Sequence, residues 1–372
     1  MKRKPGEVRD AILSALSAAP SGATVSEIKN AVSTRLGATA QSSIRSYLRL
    51  NTPEFFVRSE RGHYLLKEHA VPPYFDSEGG GKAPPTFRFN KVVLYQAECL
   101  DWLRRQVPNS FHAVVTDPPY GLIEYSAEQQ EKLRAGSGGV WRIPPSFDGA
   151  TRSPLPRFTV LTAQAVAALG DFFYGWGRAL IPTLVPGANV LVASNPLLSY
   201  VVSTALARAG FERRGELVRL VMTMRGGDRP KAAHEEFKDV SVLPRSMWEP
   251  WLIFRKPIEG RVQDNLRKWG TGGFQRPSFD KPFGDVIASS PTHRSERMLA
   301  PHPSLKPQKF MRQIVRAALP LGEGKILDPF AGSGSTLAAA EAVGYSCVGV
   351  EKDAHYFSLA QEAIPKLAQF RR

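Results

Sequence analysis

The sequence predicts an α/β protein: a mostly parallel, doubly wound sheet covered on both faces by helices, with a small helix-rich unit in front of it. Three observations carry this. Short apolar runs rich in β-branched residues alternate with helical stretches over most of the 372 residues, the pattern of strand–helix–strand units. Pro72-Pro73, Gly79-Gly80-Gly81 and Pro84-Pro85 interrupt regular structure between the first 70 residues and the rest. A hydrophobic fraction of 42% against 22% charged residues supplies a packed core and excludes a disordered chain.

The elements follow in order. Val8, Ile12 and Leu16 recur at helical spacing, predicting a helix over Glu7–Ala18. The basic start and the apolar run Ala11–Pro20 do not make a secretion signal, because the run is very short and Glu7, Arg9 and Asp10 adjoin it. A second helix is expected over Val25–Leu36, capped by Thr24 or Ser26, and a third over Ala40–Leu50. Phe55–Arg58 and Gly62–Leu66 alternate around Glu60-Arg61-Gly62 as a hairpin. Three helices and a β-wing form the winged-helix pattern, whose third helix would offer Gln41, Ser42, Ser43, Arg45 and Arg49 to a DNA groove. A packing or dimerisation module is the other reading of residues 1–70.

Residues 71–89 read as a linker and 90–372 as one α/β domain. Strands are expected at Lys91–Tyr95, Ala113–Thr116, Asn189–Ala193, Leu217–Met222, Trp251–Arg255, Lys325–Leu327 and Cys347–Val350. Helices are expected at Ala163–Ala179, Leu197–Ala209, Gln308–Ala318 and Ser335–Val343. Alternation of this kind buries a parallel sheet on both faces. No run of about 18 apolar residues offers a membrane span. Two cysteines, Cys99 and Cys347, cannot build a disulfide framework or a four-ligand zinc site. A reducing, cytoplasmic setting and no bound metal are expected.

The net charge is +15, which points to a polyanionic partner. It is unevenly spread. Residues 1–72 carry +5 and 208–316 carry +10, the latter from 22 basic and 12 acidic residues, while 73–207 and 317–372 carry +1 and −1. A uniformly solvated basic surface would not divide this way, and exposed loops that are merely soluble are the alternative reading.

Two motifs carry chemistry. Lys325–Leu327 runs into Asp328-Pro329-Phe330-Ala331-Gly332-Ser333-Gly334-Ser335-Thr336, an apolar strand, a small-residue turn and a helix start. Glycines there allow a ligand to approach the backbone, and Glu351 ends the next strand at the spacing where Rossmann-like folds bind ribose hydroxyls. The turn lacks the Gly-Lys-Ser/Thr ending of a P-loop and the third glycine of the NAD fingerprint. The second motif, Asp117-Pro118-Pro119-Tyr120, ends the strand at Ala113–Thr116. Prolines stiffen the backbone and remove donors. A carboxylate and a carbonyl then accept hydrogen bonds beside a ring that can stack on a base, as a site for an exocyclic amino group requires.

Together these motifs resemble the S-adenosylmethionine-dependent amino-group DNA methyltransferases of the permuted β group, in which Asp-Pro-Pro-Tyr precedes the glycine loop. His302-Pro303-Ser304-Leu305-Lys306-Pro307 resembles the family's His-Pro-x-x-Lys-Pro segment. Trp248-Glu249-Pro250 through Lys256-Pro257 resembles its late strand, and Gly344-Tyr345 through Glu351 with Tyr356 the stretch after its cofactor loop. The match spans roughly residues 90–365. The resemblance implies that Asp117, Pro118, Pro119 and Tyr120 hold the target base. It implies that Asp328, Pro329, Phe330, Gly332, Gly334, Ser335 and Thr336, with Asp117 alongside, line the methionine half of the cofactor. Glu351 would hold the ribose, Glu98 the adenine amino group, and Lys306 with Pro307 would close over the cofactor.

Adenine N6 is the expected acceptor, since in the family an Asp opening this motif accompanies adenine and a Ser cytosine. Both bases present an amino group beside a ring acceptor, so N4 of cytosine is the alternative. Duplex DNA is the expected partner, with a homodimer and a cognate restriction endonuclease compatible with the family. Residues 222–300 would read the target through Arg225, Arg229, Lys231, Arg245, Arg294 and Arg297 on long loops, together with Arg45 and Arg49 of the first unit. Residues 121–162 read as a loop that closes over substrate. RNA or protein methylation would use a similar pocket, but the related glutamine methylases carry Asn-Pro-Pro-Tyr. A regulator resting on residues 1–70 alone leaves the glycine loop without a purpose.

Overall fold

The computed structural model describes residues 7–17, 19, 23–38, 40–52, 56–60, 62–66, 84–119, 163–221, 227, 229–230, 232–302 and 305–371. Tyr120, Arg225, Lys231, the 121–162 loop and most of the expected linker lie outside these residues. The chain divides into two compact units, Met1–Lys82 and Ala83–Arg372.

In the first unit, helices Glu7–Ser17, Val25–Leu36 and Gln41–Leu50 pack around strands β1 (Ala23–Thr24), β2 (Phe56–Glu60) and β3 (His63–Leu66). The strands pair antiparallel in the order β1-β3-β2. Ile12, Leu16, Ile28, Val32, Ile44, Leu48 and Phe56 are fully buried and form its core. The second helix starts on a capping box: the Thr24 side chain accepts from Glu27 N, and Glu27 accepts from Thr24 N. The third helix buries Ile44 and Leu48 and leaves Arg45 and Arg49 exposed one turn apart.

The second unit is a mixed α/β structure on one nine-stranded, mostly parallel sheet. Its strands are β4 (Thr86–Phe89), β5 (Val92–Gln96), β6 (Phe111–Thr116), β7 (Leu184–Ala193), β8 (Glu212–Leu220), β9 (Trp248–Arg255), β10 (Val286–Ala288), β11 (Lys325–Asp328) and β12 (Ser346–Glu351). They lie in the order β10-β8-β9-β7-β6-β11-β12-β5-β4. β9 runs antiparallel between β7 and β8, and β4 is an antiparallel edge. One face carries helices Gln308–Ala318, Ser335–Val343 and Ala354–Gln369, the other Ala163–Leu180 and Ser199–Ala209. The buried faces read as continuous apolar runs, as parallel strands covered twice must: β7 is buried at nine of ten positions.

Three expectations need correction. Thr86–Phe89, inside the expected linker, is a strand: it pairs with β5, and Pro85 O accepts from Gln96 N at 2.9 Å. The two prolines before it mark the edge of a sheet, where missing donors cost nothing. The stretch 222–300 is also not simply loop. It contains β9, β10 and helices Val262–Trp269 and Arg294–Leu299. The last of these carries both Arg294, exposed, and Arg297, half-buried. Nor are all the basic residues of 208–316 at the surface, since Arg219, Arg255 and Lys306 are buried. Arg255 pairs with Glu212 at 2.5 Å across β8 and β9.

Candidate active site

Parallel strands deliver their carboxyl ends to one edge of the sheet, and the connections change side between β11 and β6, where α/β folds bind ligands. The chemistry-bearing residues gather there. Asp117 follows β6, Asp328 ends β11, Glu351 ends β12, and Glu98 follows β5. The antiparallel β9 begins at the same edge, which brings Glu249 to it.

The turn after β11 is shaped by its glycines. Gly332 and Gly334 adopt φ of +51° and +84°, values that L side chains rarely take. A Cβ on Gly332 would come within 3.1 Å of His302 Nε2, and one on Gly334 within 2.4 Å of Ile364 Cγ1. Gly334 therefore serves helix packing as well as the turn. Glu351 reaches back across 19 residues: its Oε2 accepts from Gly332 N at 2.7 Å and its Oε1 from Asp353 N at 2.8 Å. Burial nonetheless raises its pKa above the ordinary carboxylate value.

Asp328 is completely buried at the bottom of this turn. Its Oδ1 accepts from Thr116 Oγ1 at 2.7 Å and from Phe330 N at 3.2 Å, and Thr336 also bonds to it. Burial outweighs these donors and pushes its pKa up to about 6. A cation placed beside it would relieve that cost. The carboxylates of Asp328 and Glu351 on a close-approach glycine turn thus fit S-adenosylmethionine, which bears an ammonium, a sulfonium and ribose hydroxyls. Phe330 packs against Phe172 and Trp176, with ring centroids 6.2 and 5.7 Å away. Pro329 is buried, and Ser335 O accepts from Gln308 Nε2 at 3.0 Å, tying the glycine-loop helix to the preceding helix Gln308–Ala318.

Glu98 is placed by a local need. Its Oε2 accepts from Leu100 N at 2.8 Å and Asp101 N at 3.0 Å, capping helix Cys99–Arg104. It sits at the same edge as Glu351, because Ala97 N donates to Glu351 O at 2.9 Å.

At Asp117 the carboxylate Oδ2 accepts from Lys306 Nζ at 2.5 Å. Pro118 is buried beside it and Pro119 exposed. Lys306 reaches this point because the segment before its helix is pinned. Glu296 accepts from Gln308 N at 2.7 Å and from His293 N at 3.2 Å, and Thr292 Oγ1 donates to Leu305 O. The cofactor contact expected of Lys306 is thus joined by a contact to the base motif. The half-buried His302 ring packs edge-on against Tyr356 at 4.4 Å, and desolvation lowers its pKa to about 4, so it is neutral at neutral pH.

Several of these residues escaped the sequence reading. Glu249 lay within a quoted segment, where an acid opening an otherwise apolar strand was a usable signal. Arg219 had no such mark. Beyond β7, the Ser194 hydroxyl and Asn195 Nδ2 are buried and find no hydrogen-bond partner among the described residues, next to β9 through Ser194 N donating to Pro250 O at 2.8 Å. Of the expected DNA contacts, Arg45, Arg49, Arg229 and Arg294 are exposed. The half-buried Arg245 packs on the backbone of Gly227, whose Cβ would lie 2.9 Å from its Nε. Among the described residues no cluster of ligands suits a metal ion, and no helix is long and apolar enough to cross a membrane.

Residues 221–362 match the family model for DNA methylases. The chain is 32% identical over 291 residues to the type II methyltransferase M2.LlaDCHI of Lactococcus lactis subsp. cremoris, covering 77% of this chain and 94% of that protein. It is 23% identical over 289 residues to the type II methyltransferase M2.DpnII of Streptococcus pneumoniae, covering 75% and 92%. It is 21% identical over 294 residues to the type II methyltransferase M.HindIII of Haemophilus influenzae, covering 72% and 93%.

Proposed function

The chain belongs to the DNA methylase family, and from that premise we propose that it transfers a methyl group from S-adenosylmethionine to the N6 amino group of a flipped adenine in duplex DNA. The observation that carries this reading is the placement of Asp117, at the carboxyl end of β6, beside the glycine turn that ends β11. S-adenosylmethionine, when bound, supplies a methyl group already activated on a sulfonium. What the chain must supply is a better nucleophile and a fixed geometry.

A conjugated amino group donates its lone pair to the ring and attacks poorly. Asp117 and the Pro118 carbonyl accept its two hydrogens, favour a pyramidal nitrogen and stabilise the positive charge that grows on it. Holding that nitrogen in line with the methyl group supplies the remaining rate. Tyr120 would stack on the extruded base, whose unstacking costs a few kcal/mol. Asp328, Phe330, Gly332, Ser335 and Thr336 would cradle the methionine part of the cofactor and Glu351 the ribose, with Glu98 close to its base. The first unit, read as a winged helix, would contact DNA through Arg45 and Arg49. Arg225, Arg229, Lys231, Arg245, Arg294 and Arg297 would read the target or its phosphates. A second copy of the chain and a cytoplasmic cognate endonuclease belong to the same reading.

The test is transfer of labelled methyl to duplex DNA, followed by nucleoside analysis. N6-methyladenine is expected, and N4-methylcytosine would overturn the base assignment. Asp117→Ala should keep cofactor binding and lose methyl transfer by roughly 10²-fold or more. Near-normal turnover would remove Asp117 from the mechanism.

A further inference from the structure

Lys306 is held between two carboxylates. Its Nζ lies 2.5 Å from Asp117 Oδ2 and 3.7 Å from Glu249 Oε1. Glu249 is fixed at both oxygens. Trp251 Nε1 donates to Oε1 at 2.8 Å, and Arg219 Nη1 donates to Oε2 at 3.0 Å. Arg219 and Glu249 are directly paired across β8 and β9. The Arg219 guanidinium is anchored in turn. Nε donates to Ser289 Oγ at 3.1 Å, Nη2 donates to Ser290 O at 3.0 Å, and the group lies 5.1 Å above the Phe310 ring. Charges thus alternate in sign along Arg219, Glu249, Lys306 and Asp117, and both residues behind Lys306 are fixed from elsewhere.

Such a row is a poor device for stability. Apolar side chains of similar volume would pack this largely buried stretch at least as well, because each buried ion has lost its water. Its geometric effect is clearer. An aspartate at a strand end turns about two side-chain bonds. A strong charge-assisted bond at one oxygen, from a lysine itself held, selects one orientation before substrate arrives. The row sums to zero charge, so it orients the carboxylate without leaving an uncompensated cation beside a site where positive charge develops.

We infer that Lys306, anchored by Glu249 and Arg219, is a positioning residue for Asp117 rather than a cofactor-binding residue. The inference rests on the reading of Asp117 as the acceptor of the base amino group. An amino group presented to Asp117 then meets a carboxylate already oriented, and misplacing it by about 1 Å costs on the order of 10²-fold in rate.

The test is steady-state methyl transfer to duplex DNA at saturating S-adenosylmethionine, with equilibrium binding of S-adenosylmethionine measured on the same proteins. Lys306→Met should lower kcat about 10²-fold and leave cofactor affinity within about twofold. Lys306→Arg should restore part of kcat, and Glu249→Gln should lower it in the same sense by a smaller factor. If Lys306→Met weakens cofactor binding and regains full kcat at saturation, the lysine serves the cofactor and the inference is wrong. It is equally wrong if Lys306→Met keeps its kcat while Asp117→Ala is inactive, an outcome that leaves the role of Asp117 standing. Turnover by Asp117→Ala would instead remove the reading beneath it. Should Glu249→Gln fail to fold, the two Lys306 variants still decide.

Discussion

Asp328 and His302 flank the glycine turn and are shifted in opposite senses by one cause, burial. For Asp328 the folded value of about 6 lies above the ordinary 3.8, so between these values the folded chain holds the extra proton. Stability from this group is therefore present below the lower value and falls as pH rises through the window. For His302 the folded value of about 4 lies below the ordinary 6.5, so the unfolded chain holds the extra proton in between. Stability from this group is present above 6.5 and falls as pH drops. Asp328→Asn keeps an acceptor for Thr116 and Phe330. It should be more favourable relative to wild type near pH 7 than near pH 4, by up to about 3 kcal/mol. His302→Gln should show the reverse trend. Urea denaturation at both pH values checks this, and pH-independent differences for both variants would contradict it. The roles of Asp117 and Lys306 belong to the same scale and differ in legibility. Asp117 could be read from Pro118 and Pro119 beside it, whereas the contact of Lys306 with it spans 189 positions and has no local trace.

Among the elements, the long periodic ones were legible and the two short edge strands of the large sheet were not. The helices Val25–Leu36, Gln308–Ala318 and Ser335–Val343 fall where the sequence puts them, the first on a cap at Thr24. The strands β4 and β10 are four and three residues long. They carry too little alternation to mark themselves and owe their form to an available sheet edge. Element packing also explains Gly334. An added methyl there meets Ile364 at 2.4 Å on a backbone with φ of +84°, so helix Ser335–Val343 would have to move away from Ala354–Gln369. Gly334→Ala should destabilise the protein by roughly 1–3 kcal/mol from overpacking. Chemical denaturation without ligand measures this. Unchanged stability would mean the glycine is needed only by the cofactor.

At the scale of the molecule, the buried cations Arg219, Arg255 and Lys306 are each paired with a carboxylate, Glu249, Glu212 and Asp117, so the +15 surplus rests on other basic residues. The exposed pair Arg45 and Arg49 offers a cleaner measure of DNA contact. Each lysine or arginine on a phosphate contributes about 0.9 to the salt slope of log Kobs. The double variant Arg45→Ala/Arg49→Ala should therefore reduce that slope by up to about 2 and weaken binding on all sequences alike. An unchanged slope would leave the first unit without a role on DNA.

The sequence by itself determined the residues on which the proposed chemistry rests: the motif Asp117-Pro118-Pro119, the glycine turn from Asp328 to Gly334, and Glu351 one strand on. Each is a local solution, in which neighbouring residues set the backbone that the chemistry needs, so each leaves a pattern in the chain. Only the tertiary structure decided what holds that chemistry in place. The antiparallel insertion of β9 brings Glu249 to the sheet edge where Asp117 and Asp328 lie, and the sheet sets Arg219 opposite it. The pinned segment before Gln308–Ala318 then carries Lys306 to Asp117. Those contacts join four distant segments, and a charge buried between strands follows from strand order and register, which no local spacing encodes.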